Sequence, residues 1–163
     1  VYTVWLKRRT WLNIVFGGLA GSWAVLAGAT AADPHLGAVP LALALVLFLW
    51  TPPHFWSLAI AFRDDYAAAG VPMLPVVVGD RRAAQTIFYS TLALVAASFV
   101  PLAFGLGVVY FVGAATGGFL FIHKAWLLTR DTQRKTAMVC FHASLIQLTL
   151  VLLAAIVDSQ FAS

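Results

Sequence analysis

The stretch Leu36–Asp65, "LGAVPLALALVLFLWTPPHFWSLAIAFRDD", determines the class of fold for the whole chain. Its first 27 residues, Leu36–Phe62, include no Asp, Glu, Lys or Arg. A helix needs roughly 20 apolar residues to cross a bilayer. The stretch therefore predicts one membrane-spanning helix, and this helix ends at an arginine followed by two aspartates.

Three further uncharged runs flank this stretch, at residues 10–32, 83–123 and 136–157. The run at 83–123 is about twice the length of one spanning helix, so we interpret it as a hairpin that turns near Pro101–Gly107. Only 10% of the chain is charged, whereas a soluble domain carries about 25% charged residues. We therefore predict an all-α, polytopic membrane bundle that forms one domain over residues 1–163. Its five transmembrane helices are expected at about 10–32, 36–62, 83–103, 107–129 and 136–157, with a loop at 63–82.

All ten basic side chains fall on one side of this five-helix arrangement. The positive-inside rule makes that side cytoplasmic, so residues 1–9, 63–82 and 130–135 are expected on the cytoplasmic face of the cell (inner) membrane. The formal net charge of +4 follows from this topology and does not indicate a nucleic-acid partner. The basic residues are Lys7, Arg8, Arg9, Arg63, Arg81, Arg82, Lys124, Arg130, Arg134 and Lys135.

Consecutive prolines, Pro52 and Pro53, interrupt the second span just before His54. Prolines remove backbone donors and break or kink a helix, which membrane proteins tolerate where the freed groups line a cavity or meet neighbours. If a helix restarts at Pro53, His54 and Asp65 lie three turns plus about 20° apart, on one face and separated by roughly 16 Å. An equally weighted alternative is that His54 only bonds a carbonyl that the prolines leave free.

Two other features leave alternatives open. The first span is rich in small residues, which permit close helix packing but also leave room for a bulky ligand. The uncharged stretch 66–79 is too short and too interrupted by glycine and proline to span the membrane. We expect it to form an apolar loop or a short helix over the cytoplasmic mouth of the bundle.

The pair Asp64–Asp65 is the main candidate for chemistry. Adjacent carboxylates repel each other unless cations neutralise them. Mg²⁺ takes one or two carboxylates and completes its shell with water and substrate phosphates, while nearby Arg and Lys suit the remaining phosphate oxygens. The pattern predicts a diphosphate–Mg²⁺ site, although a solvated loop explains the same residues equally well.

Three blocks of the sequence resemble the UbiA-type intramembrane prenyltransferases, and among them the enzymes that farnesylate haem. The blocks are "LKRRTWLNIVFGG" (6–18), "LWTPPHFWSLAI" (49–60) and "RDDYAAAGVPMLPVVVG" (63–79). The resemblance implies a nine-helix bundle with two aspartate-rich segments around one cavity. It also implies transfer of a farnesyl group from farnesyl diphosphate to a vinyl group of haem B, which gives haem O. Haem A synthase or a terminal-oxidase assembly is the implied protein partner.

The resemblance also assigns roles to individual residues. Asp64 and Asp65 would be the second aspartate-rich segment, catalytic and binding diphosphate through Mg²⁺, with Asp65 the stronger candidate. Contacts to phosphate are implied for Lys7, Arg8 and Arg63. Positions in the substrate site are implied for Asn13, His54 and Tyr66.

One departure from the family pattern is that the first aspartate-rich segment would lie before Val1. The chain is therefore expected to be a C-terminal portion that is inactive by itself. Two other functions stay open on the sequence: a prenyltransferase for another acceptor, such as a quinone or chlorin, and a transporter or structural membrane subunit in which the charged loop only sets topology.

Overall fold

The computed structural model describes Thr10, residues 12–33 and residues 35–161. Lys7 and Arg8, two of the predicted phosphate-binding residues, lie outside the described residues. The described part of the chain forms helices and contains no strand. Its elements are α1 (Asn13–Ala32), α2 (Ala38–Ala61), α3 (Arg63–Ala68), α4 (Leu74–Val78), α5 (Asp80–Ala97), a 3₁₀ helix (Val100–Phe104), α6 (Val108–Arg130) and α7 (Arg134–Ser159).

Among the described residues, five helical segments are long and apolar enough to cross a membrane: α1, α2, α5 with its 3₁₀ extension, α6 and α7. The predicted all-α, polytopic bundle with five spans is therefore confirmed. The third span begins at Asp80, three residues before the uncharged run at 83–123. Asp80 stands in the first turn of α5, where a carboxylate interacts favourably with the helix N-terminus. The charged residues at this point therefore belong to the first turn of α5 and not to the preceding loop.

Helix α2 runs unbroken through Pro52 and Pro53 and ends at Ala61. The helix therefore does not restart at Pro53, which was the condition for aligning His54 with Asp65. The break comes later, at Phe62, whose backbone angles (φ −122°, ψ 32°) are not helical. The expected alignment of His54 with Asp65 required an unbroken helix between them, so it does not apply to the folded chain.

Helices α6 and α7 form the most extensive helix pair in the bundle. Gly113 and Gly117 lie one turn apart on the α6 face that meets α7. A Cβ added at Gly117 would lie 2.9 Å from Cα of Gln147, and one at Gly113 would lie 2.5 Å from Cβ of Ala154. Small residues at this spacing let two membrane helices approach closely, so these glycines set the distance between α6 and α7.

Asp158, near the end of α7, closes the turn that leads into α6. Its carboxylate accepts hydrogen bonds from the backbone N–H groups of Gly107, Val109 (3.1 Å) and Tyr110 (3.3 Å). The first N–H groups of a helix have no partner within the helix, and a carboxylate also complements the helix dipole there. Asp158 therefore caps α6 from a distant part of the chain, and it is only 5% exposed.

The small residues of α1 were expected either to permit close helix packing or to leave room for a ligand, and they do not all behave alike. Gly18 faces Thr51 of α2, since an added Cβ would lie 3.1 Å from Cβ of Thr51. The Ser22 hydroxyl donates to the Ala44 carbonyl oxygen at 3.0 Å in the same interface. Close packing against α2 thus accounts for Gly18, whereas an added Cβ at Gly28 would have no neighbour within 4 Å.

Candidate substrate site at the α2–α3 rim

The short helix α3 carries the predicted carboxylate pair. Asp64 and Asp65 lie in its first turn, and both are exposed. Within the described part of the chain, neither carboxylate accepts a hydrogen bond or forms an ion pair. Both oxygens of each group are therefore available to a ligand.

Gly70 shapes the wall beside Asp65. Its φ of 65° lies in the left-handed region, which glycine adopts without steric cost. The Val71 N–H donates to the Tyr66 carbonyl (2.9 Å) and the Gly70 N–H to the Ala67 carbonyl (3.1 Å). This is the Schellman pattern at a helix C-terminus, which brings together the side chains on either side of the turn.

An open cavity of about 370 Å³ lies at this turn. Of the described residues that line it, Asp65 is the acidic one, and Asp64 is not among them. The two adjacent aspartates therefore differ in their position relative to the cavity. The lining residues are Phe62, Asp65, Tyr66, Ala69 and Val71.

The apolar stretch after α3 packs into the bundle. Met73 and Leu74 are each 3% exposed, and α4 contacts α2, α3 and α5. The expected short helix is present, since α4 covers Leu74–Val78. Its first residues serve as an anchor that fixes the turn and the cavity against the spanning helices.

Arg63 has a partner inside the protein. Its guanidinium lies 3.2 Å from a carboxylate oxygen of Asp80, at the start of α5. Both side chains are partly exposed, at 46% and 27%, and such pairs typically contribute about 0–1 kcal/mol. The pair joins the first residue of α3 to the first residue of α5. It also offsets part of the positive charge of Arg63, the residue that the family resemblance predicts to contact phosphate.

His54 lies in the interface between α2 and α7. Its ring stacks on Trp50 (centroids 4.0 Å apart) and on Phe141 (4.4 Å), and its Nδ1 lies 2.6 Å from Oγ of Ser144. The Ser144 Oγ also lies 2.6 Å from the Phe141 carbonyl oxygen, so the hydroxyl links the His54 ring to the backbone of α7. The alternative that His54 bonds a carbonyl freed by the prolines is wrong, because its partner is a hydroxyl on another helix.

The remaining predicted residues lie in different surroundings. Tyr66 shares the cavity with Asp65. Asn13, the first residue of α1, is 1% exposed. The structure therefore brings Asp65 and Tyr66 together, whereas His54 lies between α2 and α7 and Asn13 is buried at the start of α1.

Two residues near the site were not singled out from the sequence. Ser144 holds His54, and the guanidinium of Arg134 lies over the Phe62 ring at 4.6 Å. The sequence places Arg134 only in the basic cluster that sets the membrane topology. Both residues belong to α7, more than 70 positions beyond Phe62, and no local pattern in the sequence pairs them with the rim.

Asp64 and Asp65 are the rim residues that would hold a Mg²⁺ ion. Among the described residues, no group of three or more His, Cys, Asp or Glu side chains is arranged to hold a metal ion. Two unpartnered carboxylates nevertheless fit a Mg²⁺ ion that takes one or two protein ligands and the rest from water and substrate phosphates. The residues present therefore fit a shared protein–substrate site rather than a closed protein cage.

The fold and the rim define a multi-pass α-helical membrane protein with an open carboxylate pair at the end of a spanning helix. The chain belongs to the UbiA prenyltransferase family, whose sequence profile matches residues 1–146. The family resemblance noted in the sequence is thereby confirmed.

Relatives within this family carry a more specific name. The chain is 58% identical to "Protoheme IX farnesyltransferase 2" and 53% identical to "Protoheme IX farnesyltransferase 1", both of Paramagnetospirillum magneticum, over 99% of its length. It is 46% identical to "Protoheme IX farnesyltransferase" of Hahella chejuensis over 97% of its length. It spans 56%, 57% and 53% of these three proteins, respectively, or about half the length of each. No solved structure matches the chain.

Proposed function

We propose that this chain is the C-terminal part of a prenyltransferase that farnesylates haem B to form haem O. The observation that carries the proposal is the exposed, unpartnered carboxylate of Asp65 at the edge of a largely apolar cavity. The names of the relatives supply the prenyl donor and the acceptor. The same residues would serve a prenyltransferase with a quinone or chlorin acceptor. Identification of the prenylated product would therefore distinguish haem B from these acceptors.

The proposed reaction exchanges one bond at the farnesyl group for another. The bond between C1 of the farnesyl chain and the diphosphate oxygen breaks, and the diphosphate leaves with the electron pair. The terminal carbon of a haem vinyl group forms the new C–C bond to C1. Water then adds to the adjacent cationic carbon and releases a proton, which gives the hydroxyethylfarnesyl substituent of haem O and free diphosphate.

The residues of this chain would act on the leaving group and on the geometry of the acceptor. Asp64 and Asp65 would hold Mg²⁺, whose chemistry in such a site is to neutralise negative charge that develops on the diphosphate. Arg63, Lys7 and Arg8 would contact phosphate oxygens. Tyr66 would line the cavity beside Asp65, and the apolar wall would exclude water from C1 of the farnesyl chain while the diphosphate leaves.

His54 is proposed on the acceptor side of the site, and Asn13 is proposed to line the site. His54 is oriented by Ser144 and by stacking on Trp50 and Phe141. A ring held in one orientation suits contact with a polar or metal-containing substrate. Haem B is such a substrate.

The orientation in the membrane follows from the same proposal. Arg63, Arg81, Arg82 and Arg130 lie at one end of the bundle, and the positive-inside rule places that end at the cytoplasmic face of the cell membrane. A soluble diphosphate would then reach Asp65 from the cytoplasm while its farnesyl chain enters the bilayer. Haem A synthase or a terminal-oxidase assembly would receive the product.

The proposal is tested by Asp65→Asn in the full-length protein, supplied with haem B and farnesyl diphosphate. We expect haem O formation, followed by chromatography and mass spectrometry, to fall by at least about 100-fold, since loss of one strong electrostatic contact to a developing charge has this magnitude. The matched control is Asp33→Asn, an exposed aspartate between α1 and α2, which should leave the rate within about twofold. Unchanged haem O formation in the Asp65 variant would contradict the proposal.

The isolated chain, residues 1–163, should form no haem O in detergent or in vesicles. The chain spans about half the length of the relatives that it matches, and the family resemblance implies a second aspartate-rich segment outside it. Haem O formed by the isolated chain would show that the described half of the site is sufficient.

A further inference from the structure

We propose that Arg134, the first residue of α7, binds the diphosphate group of the prenyl donor at the cavity beside Asp65. This inference rests on the proposed function and adds a residue to the same site. Arg134 lies outside the three sequence blocks at 6–18, 49–60 and 63–79, and the site residues predicted from the sequence do not include it.

The position of Arg134 is set by an aromatic contact. Its guanidinium carbon lies 4.6 Å from the centre of the Phe62 ring, and Phe62 lines the cavity together with Asp65 and Tyr66. Phe62 is also the residue at which α2 ends and α3 begins. The contact therefore brings a cation from α7 to the hinge that carries the carboxylate pair.

The chemistry of the side chain matches this position. A guanidinium that stacks on a ring keeps its N–H donors in the plane of the group, where they can meet two phosphate oxygens at once. Within the described residues, Arg134 forms no ion pair with a carboxylate. Arg63 differs, because Asp80 lies 3.2 Å from it.

The charge at the cavity also calls for a cation. Asp65 is the acidic group of the lining, and it repels an anionic diphosphate unless positive charge stands nearby. Mg²⁺ would offset part of this repulsion, and the remaining phosphate oxygens would need donors from the protein. Arg134 is not among the lining residues, but it contacts Phe62, which is one of them. Arg134 is also exposed, so its donors are accessible to a ligand.

A second arginine offers a matched comparison at the same end of the bundle. The guanidinium of Arg130 lies 5.1 Å from the centre of the Trp126 ring, and Arg130 is also exposed. Trp126 does not line the cavity. Arg130 and Arg134 therefore share charge, a contact with an aromatic ring and exposure, and they differ in that only Arg134 contacts a residue of the cavity lining.

The test uses the full-length protein and measures kcat, KM for farnesyl diphosphate and the inhibition constant of inorganic pyrophosphate. We expect Arg134→Gln to raise both KM and the inhibition constant by about 10-fold or more, the effect of losing a charge-assisted hydrogen bond. Arg134→Lys should recover part of the loss, because it keeps the charge without the planar fork. Arg130→Gln should leave both constants within about twofold.

A second variant tests the aromatic contact and covers the case in which Arg134→Gln does not fold. Phe62→Leu keeps an apolar side chain but removes the ring, and it should raise KM several-fold with Arg134 still present. The double variant should be no worse than Arg134→Gln alone, because the two residues act through one contact.

The outcomes separate this inference from the proposed function. The inference would be overturned if Arg134→Gln and Arg134→Lys left KM and the inhibition constant unchanged. If Asp65→Asn still abolished haem O formation in that case, the proposed function would stand. Equal effects of Arg130→Gln and Arg134→Gln would also overturn it, since only general surface charge would then matter. Haem O formation unchanged in Asp65→Asn would contradict the function itself.

Discussion

Two carboxylates at different places in the bundle show how one residue type serves structure and function. Asp158 is 5% exposed and accepts three backbone hydrogen bonds at the start of α6. Asp65 is exposed and, within the described residues, its carboxylate has no protein partner. A buried carboxylate is stable only when its oxygens are satisfied, so Asp158 is committed to the fold, whereas Asp65 remains available to a ligand.

The surroundings of the two groups differ in the same way. Around Asp158, helices α6 and α7 approach so closely that glycines are required at the contact. Around Asp65, a short helix, a glycine turn and an open cavity form the rim. The comparison predicts that substitutions in the α6–α7 half mainly lower stability, whereas substitutions at the rim mainly lower activity.

The largest loss of stability is expected from Asp158→Ala. Three N–H groups at the start of α6 would lose their acceptor in a buried place, at a cost of about 2–4 kcal/mol. Thermal unfolding of the full-length protein in detergent would measure the loss, and Asp158→Asn should lose less because one acceptor oxygen remains. A variant that melts like the wild type but has lost haem O formation would contradict the comparison, because Asp158 would then act at the site.

A smaller loss is expected from Gly117→Ala. The new Cβ would lie 2.9 Å from a backbone atom of Gln147, so α6 and α7 must move apart, and overpacking of this kind costs about 1–3 kcal/mol. The control is Gly28→Ala, where an added Cβ meets nothing within 4 Å and stability should be unchanged or slightly higher. Equal melting temperatures for the two variants would show that the α6–α7 contact is not close.

At the rim, Gly70→Ala should cost about 1–2 kcal/mol of local stability, because a residue with a Cβ is strained at the φ of 65° found there. An added Cβ meets no atom within 4 Å, so the strain alone accounts for the effect. The turn that joins Tyr66 to Val71 should open, and KM for farnesyl diphosphate should rise with little change in melting temperature. Faster hydrogen exchange confined to α3 and α4 would support this, and exchange spread over α6 and α7 would contradict it.

The smallest effect is expected from Asp80→Asn, which breaks the exposed pair with Arg63. Such pairs contribute about 0–1 kcal/mol, so the melting temperature should stay within the error of the measurement. If the pair restrains Arg63, its release should leave KM for farnesyl diphosphate unchanged or slightly lower. A clear loss of stability would mean that the rim depends on this ion pair in the same way as α6 depends on Asp158.

Much of the fold was predictable because it follows from hydropathy. Uncharged runs of sufficient length predicted five spanning helices, and five are present. The ends of the helices were less predictable, since α5 begins within a charged turn at Asp80 and α2 continues through Pro52 and Pro53. Local propensity at these points is overridden by the surrounding structure.

The candidate site was predictable only in part. Adjacent aspartates in a motif indicated the rim, and the family resemblance made Asp65 the stronger candidate. The sequence did not predict the cavity, which Asp65 lines and Asp64 does not. The partner of His54 was not predictable, because Ser144 lies 90 positions away and belongs to no motif.

The sequence by itself determined the number of spanning helices, the distribution of charge between the two ends of the bundle and the family. These properties depend on composition and on short motifs, since a charged side chain in the hydrocarbon core is costly wherever the helices pack. The tertiary structure alone decided that Asp158 is enclosed and Asp65 open, and that Arg134 lies on Phe62. These pairings depend on how each helix is rotated against its neighbours, and residues far apart along the chain settle that rotation together.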